Sequence, residues 1–164
     1  MSMKRLIYAM MVLGVLFATS CKKNEIGATA TVDMAGEWYV CAEYIDGDTP
    51  IYEDGPFIIT TFNTAANVPT EMFVYDCLNF WEFQVPVTVD PVAKTFATNG
   101  PEANLSYDGC FVRITDGKVV EKGAVTPSGV PADAIEFKVT FSDDTDGYVY
   151  RFYGYRYTGL VADE

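Results

Sequence analysis

The chain has 164 residues, with 23 Asp and Glu against 11 Lys and Arg, and a formal net charge of −12 at pH 7. So acidic a protein repels the phosphate backbone, which argues against nucleic acid as a partner. The sequence contains no histidine, which excludes Ser-His-Asp and Cys-His catalysis and every histidine-ligated metal site.

The first 20 residues have the pattern of a signal peptide. Lys4 and Arg5 form a short positive region, and the run 6–17 is largely apolar. Twelve helical residues span about 18 Å, too little for a bilayer core of about 30 Å. The run ends in Ala18-Thr19-Ser20-Cys21, which resembles the lipobox of bacterial lipoproteins, where the cysteine receives a diacylglycerol and the chain is cut just before it. We therefore predict a signal peptide over 1–20.

Acylation of Cys21 predicts where the protein resides. Its acyl chains would hold the mature protein in the bacterial cell envelope, in the outer membrane, on the periplasmic or the surface face. No later stretch approaches 18 apolar residues, so the lipid is the expected membrane attachment. The polar segment 21–33 is predicted to be a flexible tether. The alternative is cleavage at another position, with Cys21 incidental.

From Gly36 onward the hydrophobic pattern has a period close to two, and aromatic and β-branched residues are dense, which is typical of β-strands. In the clearest run, Trp81 to Val89, apolar residues alternate with polar ones and Pro86. Asp116-Gly117 between two such runs predicts a two-residue hairpin. Strands are predicted near 36–46, 56–63, 70–76, 80–90, 94–98, 111–115, 118–125, 134–142 and 148–158.

The short connections predict an all-β fold in one domain over 34–164. An antiparallel up-and-down β-barrel is favoured because closure removes the exposed sheet edges. A two-sheet β-sandwich is the alternative. Nine candidate strands are one too many for an even antiparallel closure, so either 94–98 is not a barrel strand or one strand lies outside.

The same meander predicts an acidic mouth. Loops 47–55, 77–79, 99–110 and 126–133 fall on one rim, and loops 64–69, 91–93 and 116–117 on the other. The long loops of the first rim carry the acidic side chains Asp48, Glu53, Asp54, Glu102, Asp108 and Asp133.

Two ends of the sequence resemble the lipocalin/calycin barrels. Gly36-Glu37-Trp38 opens the first strand and the last strand contains Arg151 and Arg156. This is similar to the G-x-W triplet and late arginine of those barrels, where the arginine packs across the tryptophan at the closed end. Arg156 would lie near Trp38 if the last strand is the eighth, and Arg151 if it is the ninth. We favour Arg156, because its segment also resembles the family described next.

Five segments resemble a family of Bacteroidota lipoproteins known as lipid-binding putative hydrolases, whose fold is described as calycin-like. They are Thr61–Asn67, Met72–Asp76, Phe80–Phe83, Pro127–Ala132 and Gly154–Gly159. The resemblance covers the chain from about Gly36 to its end and implies the barrel and the envelope location. It brings no catalytic motif, so hydrolysis is expected from the family's name alone.

The sequence offers little for catalysis. It has no G-x-S-x-G elbow, and the acidic run 142–147 lacks the spacing of a calcium loop. We therefore predict no catalytic residue, no metal and no cofactor, and lean away from an enzyme. Besides Cys21 there are three cysteines, which allow one disulfide at most. If a bridge forms, Cys77–Cys110 is expected, because both flank loops of one rim whereas Cys41 lies inside a strand; the alternative is three small hydrophobic residues.

The expected inward faces are aromatic. An eight-stranded barrel is either filled by its own side chains or holds one small ligand. Two functions therefore stay open: binding of a small apolar or lipid ligand, or a filled interaction module whose acidic rim contacts an envelope protein or glycan. The candidate ligand-lining residues are Trp38, Trp81, Phe83, Phe137, Phe141, Tyr150 and Phe152.

Overall fold

The computed structural model describes residues 28–46 and 49–163. The predicted signal peptide, Cys21 and the first part of the predicted tether lie outside these ranges. Within them the strands are β1 (Gly36–Asp46), β2 (Thr49–Asn63), β3 (Glu71–Tyr75), β4 (Gln84–Asp90), β5 (Thr95–Ala97), β6 (Glu102–Ala103), β7 (Phe111–Val125), β8 (Pro131–Phe141) and β9 (Val149–Arg156), followed by a 3₁₀ helix at Val161–Asp163.

Eight of these strands form a closed antiparallel barrel in the order β1-β2-β3-β4-β5-β7-β8-β9. β9 pairs back onto β1, and β5 pairs with β7. The two-residue β6 adds a short pairing to β7 outside this circuit. The predicted up-and-down barrel is confirmed, and the sandwich alternative is wrong.

The predicted hairpin at Asp116-Gly117 is wrong, because β7 continues through both residues. Its pairing with β8 passes from Thr115↔Lys138 to Lys118↔Glu136, so β7 carries one extra residue there. This is a β-bulge. Asp116 has a positive φ of 56°, and a Cβ on Gly117 would collide with the backbone and ring of Phe96. Asp followed by Gly is favoured both in a β-bulge and in a tight hairpin, which is why the sequence could not tell them apart.

Joining the two predicted strands into β7 reduces the count to eight, so 94–98 does contain a barrel strand, β5. The loops that follow β7 therefore lie on the opposite rim from the one that the sequence predicted. The loops at 76–83, 98–110 and 142–148 share one rim, the mouth. Those at 64–70, 91–94 and 126–130 share the opposite rim with the chain end. Asp133, predicted at the mouth, therefore lies at the closed end.

Aromatic and aliphatic side chains fill the barrel. Trp38, Phe83, Phe137 and Phe152 are 0% exposed, which leaves no room for a water molecule beside them. The Phe137 and Phe152 rings stack with centroids 5.0 Å apart. The alternation of the strands therefore directs large rings to the axis, where they pack at the density of a protein core.

Candidate functional site

The barrel axis does not offer a ligand site at most of the predicted lining residues. Four of the seven have no exposed surface, and Phe141 and Tyr150 are 4% and 8% exposed. Trp81 is half-buried and stacks on Phe141 at 4.7 Å. Among the predicted set, Trp81 and Tyr150 line a cavity, and this cavity is at the mouth.

At the closed end, Arg156 lies directly opposite Trp38 across β1 and β9. Its guanidinium carbon is 4.4 Å from the centre of the Trp38 ring. Its NH1 donates to the Ala35 carbonyl at 2.7 Å and its NH2 to the Asp33 carbonyl at 3.2 Å. Its Nε donates to the Asp133 carboxylate at 3.2 Å. One side chain therefore joins the first strand, the last strand and the segment before the barrel.

The indole N–H of Trp38 is also hydrogen-bonded. Trp38 Nε1 donates to Thr61 Oγ1 at 2.8 Å, and that hydroxyl donates to the Met34 carbonyl at 2.6 Å. A Cβ on Gly36 would collide with Arg156 NH1. Glycine suits this position of the triplet, because other residues rarely adopt its φ of 152° and a Cβ would displace the Arg156 guanidinium.

A cavity of about 400 Å³ opens at the mouth, and we call it the mouth pocket. It lies between β1, the loop after β3 and the loop between β8 and β9. Aromatic side chains and a group of aspartates surround it: Ala42, Tyr44, Phe80, Trp81, Asp143, Asp144, Thr145, Asp146, Tyr148 and Tyr150. No lysine or arginine is among these lining residues.

The carboxylate of Asp76 holds the loop that carries two of the pocket's rings. Asp76 is 0% exposed. Its Oδ1 accepts hydrogen bonds from the backbone N–H groups of Leu78 and Phe83, both at 3.0 Å. Its Oδ2 accepts from those of Phe80 at 3.2 Å and Trp81 at 2.8 Å. These bonds replace strand pairing, which is why β4 begins at Gln84 rather than at residue 80.

Asp143 joins three side chains at the edge of the mouth pocket. It accepts hydrogen bonds from Tyr107 OH at 2.7 Å, Trp81 Nε1 at 3.1 Å and Cys110 Sγ at 3.1 Å. The hydrogen bond from Tyr107, more than the others, lowers the pKa of the Asp143 carboxyl, although desolvation opposes it. Burial raises the pKa of the Cys110 thiol. The site therefore contains a fixed carboxylate next to a protonated thiol, which is a poor nucleophile.

The expected Cys77–Cys110 bridge is absent from the structure, where Cys41, Cys77 and Cys110 are free thiols. Both predicted partners flank mouth loops, but they lie on different sides of the barrel wall. Cys77 Sγ lies 3.7 Å from Thr60 Oγ1, whereas Cys110 is part of the hydrophobic core.

Asp144 fixes the tyrosine side of the mouth pocket. Its Oδ2 accepts hydrogen bonds from the Tyr148 N–H at 2.9 Å and Tyr150 OH at 3.1 Å. Tyr44 stacks on Tyr148 with ring centroids 4.5 Å apart. Burial, followed by the bond to Asp144, raises the pKa of Tyr150. The tyrosine hydroxyl therefore stays a neutral donor to a carboxylate.

A second cavity, of about 530 Å³, lies on the outer face of β1, β9, β8 and β7, and we call it the outer groove. Tyr39, Tyr155, Ala134 and Val120 stand opposite one another in a single row across these strands. None of the predicted site residues lines it. The sequence pattern did not single it out because its tyrosines occupy the face expected to be polar.

The residues that sequence reasoning missed are mostly in the mouth pocket. Tyr44, Phe80, Tyr148 and the aspartates of 143–146 are not among the site residues that the sequence predicts, and the acidic run was considered there only as a calcium loop, whose spacing it lacks. The signal that could have found them is topological. Once 142–148 is known to share a rim with 76–83, the aromatic and acidic loops must meet.

Across residues 28–46 and 49–163, no group of three or more His, Cys, Asp or Glu side chains is placed to hold a metal ion. Over the same ranges, no helix has the length and apolar character needed to cross a membrane.

Comparison with known proteins identifies a family and a solved structure to which the chain is similar. The model of a family described as lipid-binding putative hydrolase matches residues 23–161. No curated protein matches the chain. The fold is similar to the crystal structure of a Bacteroides ovatus protein of unknown function, with a TM-score of 0.45 and 13% sequence identity over 76% of this chain. The match spans 42% of that protein's chain.

Proposed function

Because the chain belongs to the family of lipid-binding putative hydrolases, whose model matches residues 23–161, we propose that it is a lipid-anchored barrel of the bacterial cell envelope that binds a lipid or another amphiphile at its mouth pocket. The observation that carries this proposal is the aromatic lining of that pocket above a filled barrel. The ligand enters the mouth and does not pass along the axis.

The size and lining of the mouth pocket suit a small amphiphile. Its volume of about 400 Å³ lies within the range of about 300–1,000 Å³ typical of ligand pockets. Phe80, Trp81 and Tyr150 offer apolar surface, and their rings lie 5.1–6.1 Å apart. Trp and Tyr present an apolar body with a polar edge, so they suit a ligand with one apolar and one polar end.

The anchoring part of the proposal rests on the sequence Ala18-Thr19-Ser20-Cys21. The Cys21→Ser variant is expected to accumulate as an uncleaved precursor without acyl label. Metabolic labelling with a fatty acid, together with membrane fractionation, measures this. Normal processing and fractionation of the variant would contradict the lipid anchor.

The proposal is binding without turnover. The chain has no histidine to act as a base, and burial raises the pKa of the Cys110 thiol, which donates to Asp143 at the edge of the pocket. The purified protein is expected to hydrolyse esters, lipids and peptides no faster than background. Robust hydrolysis that disappears on changing one carboxylate would favour the family's second description, hydrolase.

Ligand binding can be measured by tryptophan fluorescence, because the two tryptophans lie at opposite ends of the barrel. Trp81 is at the mouth and Trp38 is buried at the closed end. Long-chain amphiphiles are expected to change the emission of the wild type but not of Trp81→Phe. Phe80→Ala is expected to weaken binding about tenfold, which corresponds to about 1.4 kcal/mol.

Val120→Glu is the matched control, since it places a charge in the outer groove and should leave binding unchanged. The reverse result, with Val120→Glu weakening binding and Phe80→Ala not, would move the site to the outer groove. If no amphiphile binds the folded protein, the interaction-module function, with its acidic rim against an envelope protein or glycan, becomes the better proposal.

A further inference from the structure

We propose that the mouth pocket selects amphiphiles whose polar end carries a positive charge, an amine or a quaternary ammonium group. This inference rests on the proposed function and names the head group that the pocket takes.

The aromatic walls are the first argument. Tyr148 stacks on Tyr44 at 4.5 Å and lies edge-on to Tyr150 at 6.4 Å, and the Trp81 ring lies 5.7 Å from that of Tyr150. Each ring face carries negative potential and attracts a cation within about 6 Å of its centre. Tyr44, Trp81, Tyr148 and Tyr150 all line one cavity, and a group of aromatic rings around a cavity is how proteins bind quaternary ammonium groups.

The sign of the surrounding charge is the second argument. Asp143, Asp144 and Asp146 line the pocket, and no basic side chain does. In the part of the chain that the structure describes, the ion pairs of lysine and arginine involve other carboxylates: Glu43, Asp116, Glu121, Asp133 and Glu136. A cationic head group would be the counter-charge of the pocket, and an anionic one would be repelled.

The carboxylates are also held in place before a ligand arrives. Asp143 accepts from Trp81 and Tyr107, and Asp144 accepts from Tyr148 and Tyr150. The hydroxyls of Tyr107 and Tyr150 are occupied as donors to these carboxylates. A carboxylate head group would thus face the carboxylates of Asp143 and Asp144, which offer it no donor. An ammonium group would be attracted by the same carboxylates, which are already held in position and need not be ordered on binding.

The test compares three amphiphiles with the same dodecyl chain: dodecyltrimethylammonium, dodecyl maltoside and dodecanoate, each below its critical micelle concentration. Binding to the full mature protein is measured by tryptophan fluorescence and calorimetry, with circular dichroism to verify folding. The cationic compound is expected to bind at least about tenfold more tightly than the other two. Its affinity is expected to fall with added salt.

Two variants test the contribution of charge. Asp146→Asn removes a pocket charge and is expected to weaken the cationic compound about fivefold, with little effect on the maltoside. Glu121→Gln, the same change in net charge on an exposed part of β7, is the control and should change neither. Asp144→Asn is a second variant should Asp146→Asn not fold.

The outcomes separate the two proposals. Equal binding of all three compounds, or preference for dodecanoate, overturns the cation inference and leaves amphiphile binding standing. Loss of cation preference in Glu121→Gln would also overturn it, because the effect would then come from net charge. Failure of every compound to bind the folded protein overturns the proposed function itself.

Discussion

Replacing Arg156 with alanine should destabilise the barrel more than replacing an exposed surface arginine does. The side chain contacts two parts of the chain that are far from each other in sequence. One is the segment 33–38, through the Trp38 ring and the backbone carbonyls of Asp33 and Ala35, and the other is the Asp133 carboxylate. Removal of the arginine side chain opens the junction between β1 and β9, where the barrel closes.

The size of the destabilisation by Arg156→Ala follows from the individual contacts of the side chain. A cation–π contact at a partly exposed site is worth about 1 kcal/mol. The two hydrogen bonds to backbone carbonyls contribute about 1 kcal/mol each. The ion pair with Asp133 contributes less, because both side chains are about 30% exposed and solvent screens them. The free energy of unfolding is expected to fall by about 3 kcal/mol, which corresponds to about 10 °C in Tm for a domain of this size.

Thermal and urea unfolding of the mature protein measure the loss. Arg113→Ala is the control, since Arg113 is exposed on β7, and a surface change of this kind should stay within about 0.5 kcal/mol. Arg156→Lys should fall between the two, because it keeps the cation but not the fork of donors. If Arg156→Ala unfolds at the same temperature as Arg113→Ala, the closed-end pairing does not stabilise the barrel.

Three further predictions concern other parts of the molecule. Burial by itself raises the pKa of Asp163, but hydrogen bonds from the Thr158 hydroxyl and the Ser128 N–H outweigh it and lower the pKa from 3.8 to about 2. The stability that this carboxylate contributes should therefore be present above about pH 4 and lost as the pH falls toward 2, and Asp163→Asn should flatten that part of the Tm–pH curve. Asp76→Ala should lower the free energy of unfolding by about 3 kcal/mol or more, because it leaves backbone donors of the mouth loop without their acceptor. Relative to the wild type, hydrogen exchange in this variant should accelerate more at 78–83 than in β1. Gly154→Ala should prevent a stable fold, since its Cβ would collide with the backbone of β1, and a native circular dichroism spectrum would contradict this.

The fold could be predicted from the sequence because alternation within one strand is a local signal. The alternation of Ile135, Phe137, Val139 and Phe141 indicates a strand with one buried face, and all four are buried in β8. Asp116-Gly117 could not be assigned from the sequence, because a positive φ followed by glycine satisfies both a tight turn and a bulge. What decides between them is the long-range pairing of β7 with β8 on both sides of the bulge.

The candidate site was harder to predict because its loops are ordered by tertiary hydrogen bonds. Alternation suggests a strand from residue 80, yet the Asp76 carboxylate gathers the N–H groups of 78–83 into a loop. The strand propensity of Phe80 and Trp81 is overridden by a buried acceptor whose role local sequence does not reveal. The single error at the bulge then assigned the 126–133 loop to the mouth and removed the 142–148 loop from it.

A filled barrel also limits how a lipid can be recognised. The rings of Phe83, Phe137 and Phe152 occupy the space in which an acyl chain would otherwise lie, so a ligand at the mouth keeps part of its apolar surface in water. Burial contributes only about 25 cal/mol for each Å² removed from water, and amphiphiles with equal tails gain the same amount. Discrimination between them must therefore come from the head group, where aromatic faces and fixed carboxylates act on a charge at short range. The filled core is thus compatible with membership of a lipid-binding family. With such a core, a ligand at the mouth should be selected by the charge of its head group rather than by the length of its acyl chain.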